Sequence, residues 1–111
     1  FNIESVGLRG PFWHTAFAWG NSVLMRILQK DIPMIVGEWS LFNYYAIQNI
    51  QDDSERWEYY TYCADMQLEL WELCGAGHLY WNYKLGEGSV TERNYAWELS
   101  KSVEYGWIFL K

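Results

Sequence analysis

Apolar residues run without alternation through Pro33-Met34-Ile35-Val36-Gly37, and a carboxylate and an indole follow at once in Glu38-Trp39-Ser40. A strand with one wet face alternates, whereas an unbroken apolar run of this length reads as a strand buried on both faces. Such strands belong to parallel sheets covered by helices. The spacing predicts a strand over about Ile32 to Gly37, with Glu38 at its carboxyl end. That end is where ligands bind in α/β barrels and open sheets. The plain alternative is a solvated or salt-bridged carboxylate just past a strand.

The pattern on either side is helical. From about His14 to Lys30, Phe17, Gly20, Leu24, Ile27 and Leu28 recur at three- and four-residue spacing and predict one apolar face. Gly20 on that face implies close approach to a strand. Pro33 disfavours helical geometry before it, so Asp31-Ile32-Pro33 ends the helix. Upstream, Gly7, Gly10 and Pro11 punctuate an irregular segment, and Phe12 and Trp13 cover the next helix or rim a site. Between Trp39 and Asp52, the mixture of Phe42, Asn43, Tyr44, Tyr45 and Asn49 reads as a binding loop.

Asp52-Asp53-Ser54-Glu55 opens a second long helix, with a capping candidate followed by acidic residues in the first turn. It is expected to run to about Cys74, with Trp57, Tyr60, Thr61, Ala64, Leu68 and Trp71 inward, and to stop at Gly75 and Gly77. A second strand is predicted over about His78 to Tyr83, then a loop from Lys84 to Val90. A last helix opens near Thr91, with Ala96, Leu99, Ser100 and Val103 on one side, and ends at Gly106. Trp107 to Leu110 form an apolar tail that packs back. Strands alternating with helices imply α/β architecture with a parallel sheet. The two strands are expected to be adjacent and parallel, because one helix-length crossover links them. Two strands do not make an independent sheet, so the fold class expected is a portion of something larger.

Composition sharpens this picture in three places. The 111 residues amount to one domain or less. Aromatic residues make up 20%, including 8 Trp and 9 Tyr, which suits either an aromatic core or a carbohydrate site, since sugar C–H faces stack on indoles. Net charge is −6 with no basic run, which argues against nucleic acid and against an anionic membrane surface. No apolar run approaches the ~20 residues that span a bilayer. Cys63 and Cys74, if carried by one helix, stand roughly 16 Å apart, beyond disulfide reach, and read as free buried thiols. They lack the paired histidines of a metal site, and His14 and His78 read as structural. Nothing indicates a cofactor or a compartment, whether cytoplasmic or secreted. The chain begins at Phe1 without a starting Met or a signal peptide, as a fragment would.

Several stretches taken together resemble glycoside hydrolase family 5. They are Trp19-Gly20-Asn21, Pro33 to Ser40, Gly77-His78-Leu79-Tyr80-Trp81-Asn82-Tyr83-Lys84, Ala96-Trp97-Glu98-Leu99 and Tyr105-Gly106-Trp107. The branch is that of the exo-β-1,3-glucanases and related β-glucosidases. Its seventh strand ends in Gly-Glu-Trp-Ser, and its eighth carries an aromatic-Trp-polar-aromatic-Lys pattern. The family is a (β/α)8 barrel of about 250 residues. The resemblance therefore implies that residues 1–111 form a single segment, the carboxyl-terminal part of the barrel: helix six, strand and helix seven, strand and helix eight. That makes two parallel strands with three helices.

By position, Glu38 matches the family's catalytic nucleophile, and Trp81 the indole that stacks under the sugar at the cleavage point. Trp39 either stacks on sugar or covers the core. Asn82 bonds a sugar hydroxyl or caps the strand, and Lys84 reaches a hydroxyl or is simply solvated. The implied partners are a β-linked glucan or oligosaccharide and the remaining part of the barrel. The chain departs from the family in having no counterpart of the fourth-strand acid/base Glu, of the Arg and His residues on earlier strands, or of the sixth-strand His-x-Tyr pair. The loop after Trp39 is also shorter than in many fungal members. The expected function is that of a fragment of a retaining β-glycosidase, inactive by itself and either poorly soluble or partly molten. The alternatives are a non-catalytic carbohydrate-binding or interaction remnant of such a barrel, and an unrelated small α/β domain.

Overall fold

The computed structural model describes Glu4, residues 7–86 and residues 92–109, with backbone alone for Cys74 and residues 92–94. The described chain is α/β. Helix α1 (Pro11–Leu28) leads to strand β1 (Ile35–Trp39), the short helix α2 (Tyr44–Asn49) and the long helix α3 (Asp53–Cys74). Strand β2 (Gly77–Tyr80), a 3-10 turn (Glu92–Trp97) and helix α4 (Leu99–Glu104) complete the order. The two strands are hydrogen-bonded neighbours and run parallel, pairing Ile35 with Gly77, Val36 with His78 and Trp39 with Tyr80. An irregularity interrupts the register between Val36 and Trp39. This adjacency and direction are what the alternation of strand and helix predicted.

Local chemistry accounts for the ends of the long elements. Proline sits at the first position of α1, after Gly10 at φ 104°. There its missing N–H costs nothing and its fixed φ favours a helix. Gly10-Pro11 therefore opens the helix three residues earlier than the sequence pattern suggested, and Phe12 and Trp13 lie inside it. The Asp52 side chain accepts the Glu55 N–H at 2.9 Å and caps α3. Gly75 ends α3 in extended backbone. Gly106 ends α4 at φ 76°, a conformation glycine adopts without strain.

Other expectations are corrected. The first strand begins at Ile35 rather than Ile32: the Asp31 and Ile32 N–H groups still close on the Leu28 carbonyl, and proline has no N–H to donate. The strand is not buried on both faces. Ile35 is 58% exposed, Leu79 across the sheet is 59% exposed, and in β1 only Trp39 is buried. The face of α1 is also rotated. Ala18 and Ser22 are buried with His14 and Met25 partly so, whereas Leu24, Ile27 and Leu28 are exposed. A Cβ on Gly20 would meet nothing within 4 Å, so no strand approaches it. The loop after β1 contains α2, capped by Asn43, whose Oδ1 accepts the Ala46 N–H at 2.7 Å. The second strand stops at Tyr80, so Trp81 to Tyr83 lie past it. The last helix divides into a 3-10 turn and α4, with Glu98 between them. The described residues thus carry four α-helices rather than three. The start expected at Thr91, most of Gly86 to Val90 and the tail's Leu110 lie outside the described residues.

The core sits between α3 and what folds over it. Tyr60, Cys63, Ala64 and Trp71 from α3 meet Ala18 of α1, Trp39 and Leu41 from β1 and its loop, and Ala46 of α2. Ala96, Trp107 and Ile108 close the far end, so the tail does pack back, although Phe109 is exposed. Of the inner face expected for α3, Trp57 is the exception. Its ring is exposed, but its Nε1 donates to the Tyr105 carbonyl at 2.9 Å.

Candidate functional site

The carboxyl end of the two-stranded sheet is organised by Trp39. Its indole is buried and its Nε1 donates to His78 Nδ1 at 3.1 Å. It meets the Tyr80 ring edge-on, with centroids 4.9 Å apart. Of the two roles open to Trp39, the structure therefore assigns the cover of the core. His78 is structural, as expected, and serves as the acceptor that fixes this ring.

One residue earlier, Glu38 is exposed within the last residues of β1, which runs on to Trp39 rather than stopping at Gly37 as the sequence pattern suggested. The Trp39 carbonyl accepts the Trp81 N–H at 2.9 Å, so the ladder's last bond brings Trp81 beside the end of β1. Trp81 is 54% exposed, the state a stacking platform needs. Asn82 follows across a cis peptide bond. Its backbone ties the strand end to the last helix: its N–H donates to the Trp97 carbonyl and its carbonyl accepts the Leu99 N–H, both at 2.8 Å. Its side-chain Oδ1 is buried without a hydrogen-bond partner. Lys84 is exposed.

Beside Glu38 lies a cavity of about 340 Å³ between α1, α3 and the loop after β1. Phe42 and Trp97 form part of its wall as a stacked pair, centroids 4.9 Å apart and planes 19° from parallel. Phe17 of α1, Glu38 and Trp39 of β1, Ser40 of the loop after it, and Met66, Gln67 and Trp71 of α3 are among the other lining residues. Sequence reasoning identified the loop containing Phe42 but not this cavity. The signal was present on α3, where Cys63, Met66, Gln67 and Trp71 recur at three- and four-residue spacing. Of the remaining site candidates, Trp81, Asn82 and Lys84 are not among the cavity's lining residues.

A buried polar chain supports this wall. The Glu4 carboxylate is buried and accepts the N–H groups of Tyr44 at 2.7 Å and Tyr45 at 3.0 Å, at the start of α2. It also meets His14 Nε2 at 3.2 Å, and His14 Nδ1 lies 2.6 Å from the Tyr59 hydroxyl. Burial lowers the His14 pKa from 6.5, against the opposing pull of Glu4. A neutral ring that donates from Nε2 and accepts at Nδ1 fits both contacts. Burial also raises the Tyr59 hydroxyl above its ordinary range. The Cys63 thiol, on the cavity wall, is pushed up to about 12, first by burial, which leaves it unreactive.

Because the His14 pKa is lower folded than unfolded, the unfolded chain binds the extra proton first. Stability is therefore expected to be full above about pH 6.5 and to fall as pH drops below it. Urea unfolding between pH 7.5 and 5.5 should show this slope, and His14→Gln should flatten it. An unchanged slope in the variant would remove His14 as its source.

Among the described residues no group of His, Cys, Asp and Glu is arranged to hold a metal ion. No described helix is long and apolar enough to cross a membrane. No family model matches the chain, and no curated protein matches it.

Proposed function

We propose that this chain is the carboxyl-terminal part of a glycoside hydrolase barrel of the family 5 type, and that in the complete enzyme Glu38 is the nucleophile of a retaining β-glycosidase. The observation that carries the reading is Glu38 at the carboxyl end of one parallel strand, with the exposed Trp81 tied by its N–H to the neighbouring strand's end. Parallel strands expose their ligand-binding residues at that end. The exposed sheet face bearing Ile35 and Leu79 is what a strand pair has before other strands and helices cover it.

The chemistry needs two carboxyl groups ~5–5.5 Å apart. Glu38 attacks the anomeric carbon and forms a glycosyl ester, while the second carboxylic acid, from an earlier strand of the barrel, protonates the departing oxygen. That second group then takes a proton from water, which cleaves the ester and frees Glu38. No metal or cofactor enters these steps. Trp81 holds the sugar's apolar face and Lys84 donates to a hydroxyl oxygen, while Asn82, whose Oδ1 is buried, secures the strand end through its backbone. Trp39 contributes indirectly, by fixing the backbone on which Glu38 and Trp81 are aimed.

Trp81→Ala is expected to raise KM and lower kcat together for an aryl β-glucoside, on the order of 10-fold or more in each, because a stacking surface is lost rather than a reacting atom. Unchanged kinetics would remove Trp81 from the site. If the complete protein binds β-glucosides without cleaving them, the barrel is a carbohydrate-binding remnant rather than an enzyme.

A further inference from the structure

We propose that Glu98 is a positioning residue: with Ser100 it clamps the backbone on both sides of Lys84 and so fixes where that side chain meets a ligand. Glu98 stands between the 3-10 turn and α4, with 2% of its surface exposed. Its carboxylate holds two donors. Oε1 accepts the Ser100 hydroxyl at 2.7 Å, and Oε2 accepts the Leu85 N–H at 3.3 Å. The Ser100 N–H in turn donates to the Tyr83 carbonyl at 3.1 Å. The carbonyl before Lys84 and the N–H after it are therefore both held, by two residues that are bonded to each other. Just upstream, the N–H and carbonyl of Asn82 bond Trp97 and Leu99, which flank Glu98, so residues 82–85 run in register beside residues 97–100. Lys84 itself is exposed.

Packing alone does not account for a carboxylate here. Among the described residues no Lys, Arg or His forms an ion pair with Glu98. A buried carboxylate without a cation lowers stability, and a leucine of similar volume carries no such penalty. What leucine lacks is the two acceptors that the Ser100 hydroxyl and the Leu85 N–H use. The clamp has a purpose that stability does not explain: a long, flexible side chain on a fixed backbone loses less freedom when it binds. For the ligand, a sugar hydroxyl, this inference rests on the glycosidase reading; the clamp itself does not.

The test compares Glu98→Leu, which removes the clamp, with Glu98→Gln, which can keep it. The glutamine oxygen accepts the Leu85 N–H, and its NH2 donates to a rotated Ser100 hydroxyl. Amide exchange in the complete protein should show the Leu85 N–H at least about tenfold less protected in Glu98→Leu and within about threefold in Glu98→Gln. The denaturant midpoint of Glu98→Leu should not fall. With an aryl β-glucoside, Glu98→Leu should raise KM on the order of fivefold and Glu98→Gln should restore it to within about twofold, because Lys84 contributes to binding. In a Lys84→Ala background, Glu98→Leu should change KM by less than about twofold, since nothing is left for it to position. If Glu98→Leu does not fold, Ser100→Ala, which removes the donor to Oε1, goes through the same measurements and should act in the same direction. Unchanged Leu85 protection in Glu98→Leu, a KM effect that persists without Lys84, or a lowered midpoint with unchanged KM would each overturn the proposal. A complete protein that binds the glucoside without turnover would overturn the glycosidase reading instead, and the same Lys84 comparison, read in Kd, would still decide the role of Glu98.

Discussion

On the glycosidase reading proposed above, replacing Glu38 by glutamine in the complete protein is expected to lower turnover of an aryl β-glucoside on the order of 10³-fold or more, the scale on which removal of a nucleophile is felt. Glutamine keeps the shape of the side chain but removes the charge that, on that reading, attacks the anomeric carbon and steadies the oxocarbenium-like transition state. The exposed position of Glu38 on β1 means that folding should not suffer, because no buried charge or packing contact is lost. Glu38→Ala should behave differently in one respect. The space it opens admits a small anion, so azide or formate should restore part of the activity and give a product of inverted configuration. Near-normal turnover by Glu38→Gln would return this residue to the role of a solvated strand-end carboxylate.

Leu41→Ala is expected to cost about 2–5 kcal/mol of stability, the range for removing a leucine from a packed interior. Leu41 is 1% exposed and packs in the core below the cavity, whose wall it helps to form. Its backbone N–H reaches both the Ala96 carbonyl at 3.3 Å and the Tyr80 hydroxyl at 3.2 Å, and these bonds survive the substitution. The loss is therefore one of packing, and it should appear as a lower denaturant midpoint with an unchanged slope. Ile35→Ala provides the contrast. On its exposed face it should change the stability of the 111-residue chain by no more than about 0.5 kcal/mol. In a complete barrel, where that face is covered, the same substitution should be several times more costly. Equal costs in the two settings would count against the barrel.

Features carried by a few neighbouring residues were legible in the sequence. Asp52 caps α3 because its own side chain reaches a backbone N–H three residues on. Gly106 stops α4 because only local backbone geometry is involved. The parallel pairing of β1 and β2 followed from the helix between them, since one crossover leaves few topologies. The place of Glu38 near the sheet's carboxyl end followed from the same order of elements, but its exposure and that of Trp81 did not. Other features rest on partners far away in the chain. Hydrophobicity ranked Leu24, Ile27 and Leu28 as the inner face of α1, but packing on α3 selected the face of His14, Ala18, Ser22 and Met25, where small side chains let the helices approach. Trp39 was equally a sugar platform or a core residue until His78, thirty-nine positions on, supplied an acceptor for its ring. Glu4 capping α2 from forty residues away left no local trace, because its function lies in two N–H groups of a loop it only meets after folding. The cavity is of the same kind: its walls come from α1, β1, the loop after it, α3 and the 3-10 turn, and periodicity within one element cannot show the space that five of them leave between them.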